Sequence, residues 1–130
     1  MPPKDRANEP VGSMDRRVRA AIAFMSANLH RELSVNELAK VVHLSPSHLA
    51  HVFRKETGKS AFRYLLDLRL ERGRELLETT FLSVKQIAGR VGQSSNHFSV
   101  NFKRRYKFTP GELAARYRRS APVPHHRRTQ

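Results

Sequence analysis

The chain has 130 residues, no cysteine, and 25 Lys+Arg against 11 Asp+Glu, a formal net charge of +14. That length holds one domain or two small subdomains sharing a helix; the missing cysteine excludes disulfides, thiolate metal sites and cysteine nucleophiles; and no apolar run reaches the ~20 residues of a membrane helix. The charge calls for a polyanionic partner, nucleic acid first and anionic membrane second, and it is uneven: residues 1–78 carry 14 basic and 10 acidic side chains, residues 79–130 carry 11 and one, Glu112.

Residues 1–12 are polar, hold three prolines and show no periodicity; they read as a flexible arm without the apolar stretch of a signal peptide. From Ser13, read as an N-cap, Val18, Ile22, Met25 and Leu29 recur at helical spacing. Ser34-Val-Asn-Glu37 has the form of a capping box, in which the serine oxygen takes an orphan amide and the glutamate reaches back. The helix it opens runs to about Val42. In "HLSPS", Ser45 is an N-cap and Pro46 occupies the first helical position, where a missing N–H costs nothing. The following helix turns Leu49, Val52 and Phe53 inward and stops at Gly58.

A longer helix is predicted over 61–79, with Phe62, Leu65, Leu66 and Leu70 as a core stripe and Leu76 and Leu77 also apolar. Asp67 and Glu71 are expected to face solvent, and Arg69 to pair with a carboxylate of the same helix. Ser83-Val-Lys-Gln86 is a second capping box, and a short helix, a turn and another helix follow, ending near Lys107. Thr109-Pro110-Gly-Glu112 opens a last helix to about Arg119, and "SAPVPHHRRTQ" reads as a disordered basic tail that adds nonspecific phosphate affinity. No stretch alternates over strand lengths, so the fold reads as all-α. About seven helices form two helix-turn-helix subdomains (13–60 and 80–119) joined by a connecting helix (61–79), with an arm (1–12) and a tail (120–130).

The two short units are copies. "SVNELAKVVHLSPSHLAHVFRK" from Ser34 and "SVKQIAGRVGQSSNHFSVNFKR" from Ser83 lie 49 residues apart and match outright at Ser34/Ser83, Val35/Val84, Ala39/Ala88, Val42/Val91, Ser45/Ser94, His48/His97 and Phe53/Phe102. In each, an alanine lets two helices cross closely, and the second helix carries apolar residues four apart, Leu49/Phe53 and Phe98/Phe102. This is a helix-turn-helix pattern, whose second helix enters the major groove of DNA. Each second helix also ends in cations, Arg54-Lys55 and Lys103-Arg104-Arg105, where a groove-bound helix passes phosphates. A 19-residue connecting helix is ~28 Å long at 1.5 Å per residue. Successive major-groove faces lie ~34 Å apart, so one chain can present two reading helices about one DNA turn apart without dimerising.

On "RLERGRELL" and "FKRRYKFTP", together with the paired units, the segment from Asp15 to Arg119 resembles the DNA-binding domain of the AraC/XylS family of bacterial transcription regulators. The resemblance implies promoter binding to double-stranded DNA, activation through contact with RNA polymerase, and a cytoplasmic, nucleoid-associated location. It places base-reading roles on Ser47, Ala50 and His51 in the first unit and on Asn96, Ser99 and Val100 in the second. Phosphate contacts fall to Arg54, Lys55, Lys103 and Arg104 and to the helix N-termini capped by Ser45 and Ser94. Family members often carry a sensor domain. The DNA-binding part is expected to act as a monomer, with dimerisation left to such a domain outside this sequence.

Several positions depart from the family pattern. Gly92-Gln93 stands where Gly-Phe is usual, the turn to His97 is one residue short, Val100 replaces an arginine, and Lys107 and His43 replace glycines. Losing the arginine removes a bidentate guanine contact, worth ~1–3 kcal/mol of discrimination, and leaves valine only a thymine methyl. The second unit is therefore expected to grip mainly backbone while the first carries more of the specificity. The competing reading is a nonspecific basic nucleic-acid binder, which predicts affinity without sequence preference. A third is a protein adaptor docking through Glu71, Glu75 and Glu78.

His48 and His51 lie three apart, but no cysteine or nearby aspartate completes a metal set; His48 is expected to pack beside Leu49, as His97 beside Phe98, and His51 to face DNA. Tyr106 and Phe108 read as helix-packing aromatics. No nucleophile triad, glycine-rich phosphate loop or carboxylate pair points to an enzyme or a cofactor.

Overall fold

The computed structural model describes residues 14–120. They form seven helices and no strand: α1 (Arg16–Ala27), α2 (Val35–Val41), α3 (Pro46–Thr57), α4 (Ala61–Thr79), α5 (Val84–Arg90), α6 (Ser95–Tyr106) and α7 (Pro110–Ser120). The expected arm, the cap at Ser13 and the tail beyond Ser120 lie outside the described residues. The chain divides into two compact units between Arg69 and Leu70, inside α4.

In the first unit α1 is capped by Asp15, whose carboxylate accepts from the Arg17 amide at 2.8 Å. Val18, Ala21 and Met25 of α1 pack with Leu38, Ala39, Leu49, Val52, Phe53, Ala61 and Leu65. Each large apolar side chain removed from water there contributes about 1.5–3 kcal/mol. The Ser34 box is only half made. Its hydroxyl accepts from the Glu37 amide at 3.1 Å, but the Glu37 carboxylate is drawn to the Arg31 guanidinium instead of the Ser34 amide. That bidentate partner holds the Glu37 carboxyl below its usual range.

Of the stripe expected on α4, Leu65 and Leu70 are buried and Leu66 is half-buried, but Phe62 is 71% exposed; Ala61 is buried beside it, and Asp67 is buried rather than solvent-facing. Lys59, in the loop before the helix, donates to Asp67 at 2.6 Å, and Arg63 lies one turn back on α4 at 3.7 Å, so the buried carboxylate has its charge answered. Arg69 does not pair with a carboxylate of α4. Its Nη2 donates to the Arg31 carbonyl at 2.7 Å, a bond that pins the loop after α1. Burial pushes its guanidinium below the usual arginine range, with Glu32 opposing the shift.

In the second unit Leu70, Leu76, Leu77, Ile87, Ala88, Val91, Phe98, Phe102, Leu113 and Ala114 are buried. Here the boxes close. Ser83 Oγ accepts from the Gln86 amide while Gln86 returns to the Ser83 amide at 2.9 Å, and Thr109 and Glu112 do the same at 3.0 and 2.7 Å. Phe102 forms the centre of an aromatic group, with Phe98 at 5.5 Å, Tyr106 at 4.7 Å and Phe108 at 5.9 Å between ring centroids. Tyr106 and Phe108 are thus packing residues, with the Arg74 guanidinium over both rings.

Candidate nucleic-acid interface

The turn joining the two helices of each unit is built twice in the same way. In the first, the Leu44 amide donates to the Ala39 carbonyl at 2.9 Å and the His43 amide to Lys40; in the second, Gln93 donates to Ala88 at 2.9 Å and Gly92 to Gly89. This pair of bonds ends a helix through a residue in the left-handed region, here His43 at φ 61° and Gly92 at φ 75°. The residue after it ordinarily rests on apolar neighbours. Leu44 does so against the first core, whereas Gln93 buries a side-chain Oε1 that meets no donor among the described residues. The shortened turn therefore closes as the first unit's does, and its anomaly is confined to one amide.

The turn delivers the chain to a capped helix. Ser45 Oγ accepts from the His48 amide and Ser94 Oγ from the His97 amide, both at 3.1 Å. From there α3 buries Leu49, Val52 and Phe53, and α6 buries Phe98 and Phe102. The opposite faces follow from helical spacing. On α3, Ser47, Ala50, His51, Arg54 and Lys55 are all exposed, and Ala50, His51, Arg54 and Lys55 line one shallow depression. On α6, Asn96, Val100, Lys103 and Arg104 are exposed and Ser99 is half-buried. The residues assigned to reading or gripping DNA on these two helices are thus exposed, except Ser99, which is half-buried. His48 and His97 do not pack inward beside Leu49 and Phe98; both are exposed.

The cations of these faces differ from two arginines of α4 and from Arg105, which also lies on α6. Among the described residues Arg54, Lys55, Lys103 and Arg104 enter no ion pair, although Arg104 donates to Asn101 at 3.3 Å. Arg72, Arg74 and Arg105 are held by Glu75, Glu78 and Glu71 at 2.6, 3.2 and 3.0 Å. The acidic strip Glu71, Glu75 and Glu78 is accordingly matched by arginine rather than bare.

Sequence reasoning missed Gly73 as a positioning residue. A Cβ there would lie 2.5 Å from Phe98 Cζ and touch Cε1 as well, so α6 is seated against bare helix backbone. A glycine in the interior of a 19-residue helix, where it costs about 1 kcal/mol relative to alanine, was the available signal.

A helix-turn-helix domain model matches residues 38–116, the span from α2 into α7. The chain belongs to the AraC-type helix-turn-helix family. It is 32% identical to a transcriptional regulator of Chromobacterium violaceum with an AraC-type DNA-binding domain, over 81% of this chain and 95% of that one, with a TM-score of 0.74. The DNA-binding domain of AdpA, solved in complex with a target DNA, is 28% identical over 89% of this chain and 99% of that one, TM-score 0.75. The HTH-type transcriptional regulator GlxA of Rhizobium meliloti is 34% identical over 88% of this chain and 36% of its own length. The chain spans about a third of the length of the curated relatives it matches. Among the described residues no helix is long and apolar enough to cross a membrane.

Proposed function

We propose that the chain binds specific sites in double-stranded DNA and so regulates transcription, α3 and α6 each laying its outward face in a major groove. The observation that carries this is the equivalence of those two faces. Each begins at a serine-capped helix start, presents short side chains and a histidine or valine over the first two turns, and carries in its last turn two cations, Arg54 and Lys55 or Lys103 and Arg104, that enter no ion pair among the described residues. The order suits a groove-bound helix, whose first turns meet base edges and whose later residues meet phosphates. The similar DNA-binding domain of AdpA, solved in complex with a target DNA, supports the DNA-binding part of the proposal. On this reading Ser47, Ala50, His51, Asn96, Ser99 and Val100 read bases, and Arg54, Lys55, Lys103, Arg104 and the helix ends capped by Ser45 and Ser94 hold phosphates.

Contact with RNA polymerase, and with it activation, is part of the proposal. An acidic docking strip on α4 draws no support, since its glutamates already hold arginines. The test is selection from a randomised duplex pool at near-physiological salt with competitor DNA. Two enriched boxes are expected, and their spacing measures whether one chain reads sites a helical turn apart. Binding without enrichment, lost steeply as salt rises, would leave a nonspecific binder. Run-off transcription from the selected site with purified polymerase then separates activation from mere occupancy.

A further inference from the structure

The reading faces of α3 and α6 differ at one position in a way that bears on the DNA they select. Position 51 is histidine in the first unit, and its counterpart 49 residues on is Val100, 46% exposed. Only three large apolar side chains among the described residues are exposed, Val41, Phe62 and Val100, and Val100 alone of them lies on a reading face. Its neighbours there are polar or charged: Asn96 one turn before it, Ser99 beside it, and Lys103 one turn after it, where a helix in the groove meets phosphate. A bare isopropyl group at that point offers no hydrogen bond. The major-groove edge carries one apolar feature to complement it, the C5-methyl of thymine. Asn96, on the same side of the helix, has the donor and acceptor pair that matches adenine.

We infer, on the strength of the DNA-binding function proposed above, that Val100 selects a thymine by covering its methyl group. The second unit's box then requires a T·A pair at the place where the first unit's box, under the His51 imidazole, has no such requirement. The two halves of the target are therefore unlike in sequence although the units are copies. This sharpens the expectation that the second unit is the poorer reader: at position 100 it reads a methyl group, with no hydrogen bond to a base edge there.

The experiment uses the whole chain and the duplex enriched from the randomised pool, with each thymine replaced in turn by deoxyuridine, which pairs identically and lacks only the methyl. At one thymine in one box the affinity falls about fourfold, the effect of uncovering one methyl-sized group. Val100→Ala, at an exposed position that leaves the fold intact, binds more weakly and is indifferent to deoxyuridine there. His51→Ala keeps the fourfold effect. Affinity unchanged at every thymine, or a deoxyuridine loss of equal size in Val100→Ala, overturns the inference while leaving site-specific binding intact. A pool with no enriched duplex removes the DNA-reading function itself and the inference with it.

Discussion

Lys107 closes α6 at φ 73°, and Gly58, its counterpart 49 residues earlier, closes α3 at φ 79°. Both amides reach back to the same place, Lys103 and Arg54 carbonyls respectively, each at 2.8 Å. Only the glycine takes that conformation freely; an L side chain in the left-handed region costs about 1–2 kcal/mol. Lys107→Gly should stabilise the second unit by about 0.5–1 kcal/mol, the remainder being lost to the freer unfolded chain. Gly58→Ala should destabilise the first by about 1 kcal/mol, and since an added Cβ meets nothing within 4 Å, that loss is purely backbone. Urea midpoints of the two variants moving in the same direction would contradict this.

Gly73→Ala is the substitution that helix propensity alone would favour, by about 1 kcal/mol. Against the Phe98 ring it should instead cost about 1–3 kcal/mol, because Phe98 is fully buried and cannot yield without moving α6. The same variant should weaken DNA binding through the second unit. Thermal unfolding and affinity measured on one preparation decide it; a stabilised variant would mean that Phe98 has room to turn.

Gln93→Leu places at the second turn the residue the first turn already has at Leu44. Releasing a buried carbonyl oxygen that meets no donor should raise stability by about 1–2 kcal/mol. Chemical denaturation of the variant at neutral pH reads this directly, and an unchanged midpoint would show that solvent reaches the amide.

Acid should loosen the start of α1. The Arg17 guanidinium, and then the Arg17 amide, lower the Asp15 carboxyl from 3.8 to about 2. A carboxyl whose value falls on folding contributes its stability above its ordinary value and loses it as pH drops through the folded one. Asp15 therefore supports the fold fully above about pH 4, and the support fades towards pH 2. Asp15→Asn keeps a capping oxygen without the charge. Its denaturation midpoint should lie below that of the parent at pH 6 and meet it near pH 2; parallel curves across that range would assign the acid loss elsewhere.

Much of this could be read from residue order. The serine caps, the inward Leu49/Phe53 and Phe98/Phe102 pairs and the duplicated turn depend on contacts within a few residues, and the copies reinforce one another. What escaped depended on neighbours distant in sequence or on phase. Apolar residues at 62, 65, 66, 68 and 70 surround the start of α4, so spacing alone allows more than one buried stripe; the one adopted exposes Phe62 and buries Asp67. Arg31 takes the Glu37 carboxylate from a loop that the Ser34 box motif does not include. Arg69 finds a carbonyl 38 residues away, which no carboxylate pattern could announce.

Four cations stand in the last turns of α3 and α6 without an ion pair among the described residues, Arg54 and Lys55 on one and Lys103 and Arg104 on the other. The carbonyl ends of those helices carry partial negative charge, which offsets a cation without holding it. A phosphate arriving at either end consequently displaces water and mobile ions and need not first pull a guanidinium away from a carboxylate. Arg72, Arg74 and Arg105 would each have to make that exchange. The protein thus keeps two classes of positive charge, one committed to its own architecture and one left in reserve for whatever polyanion it meets.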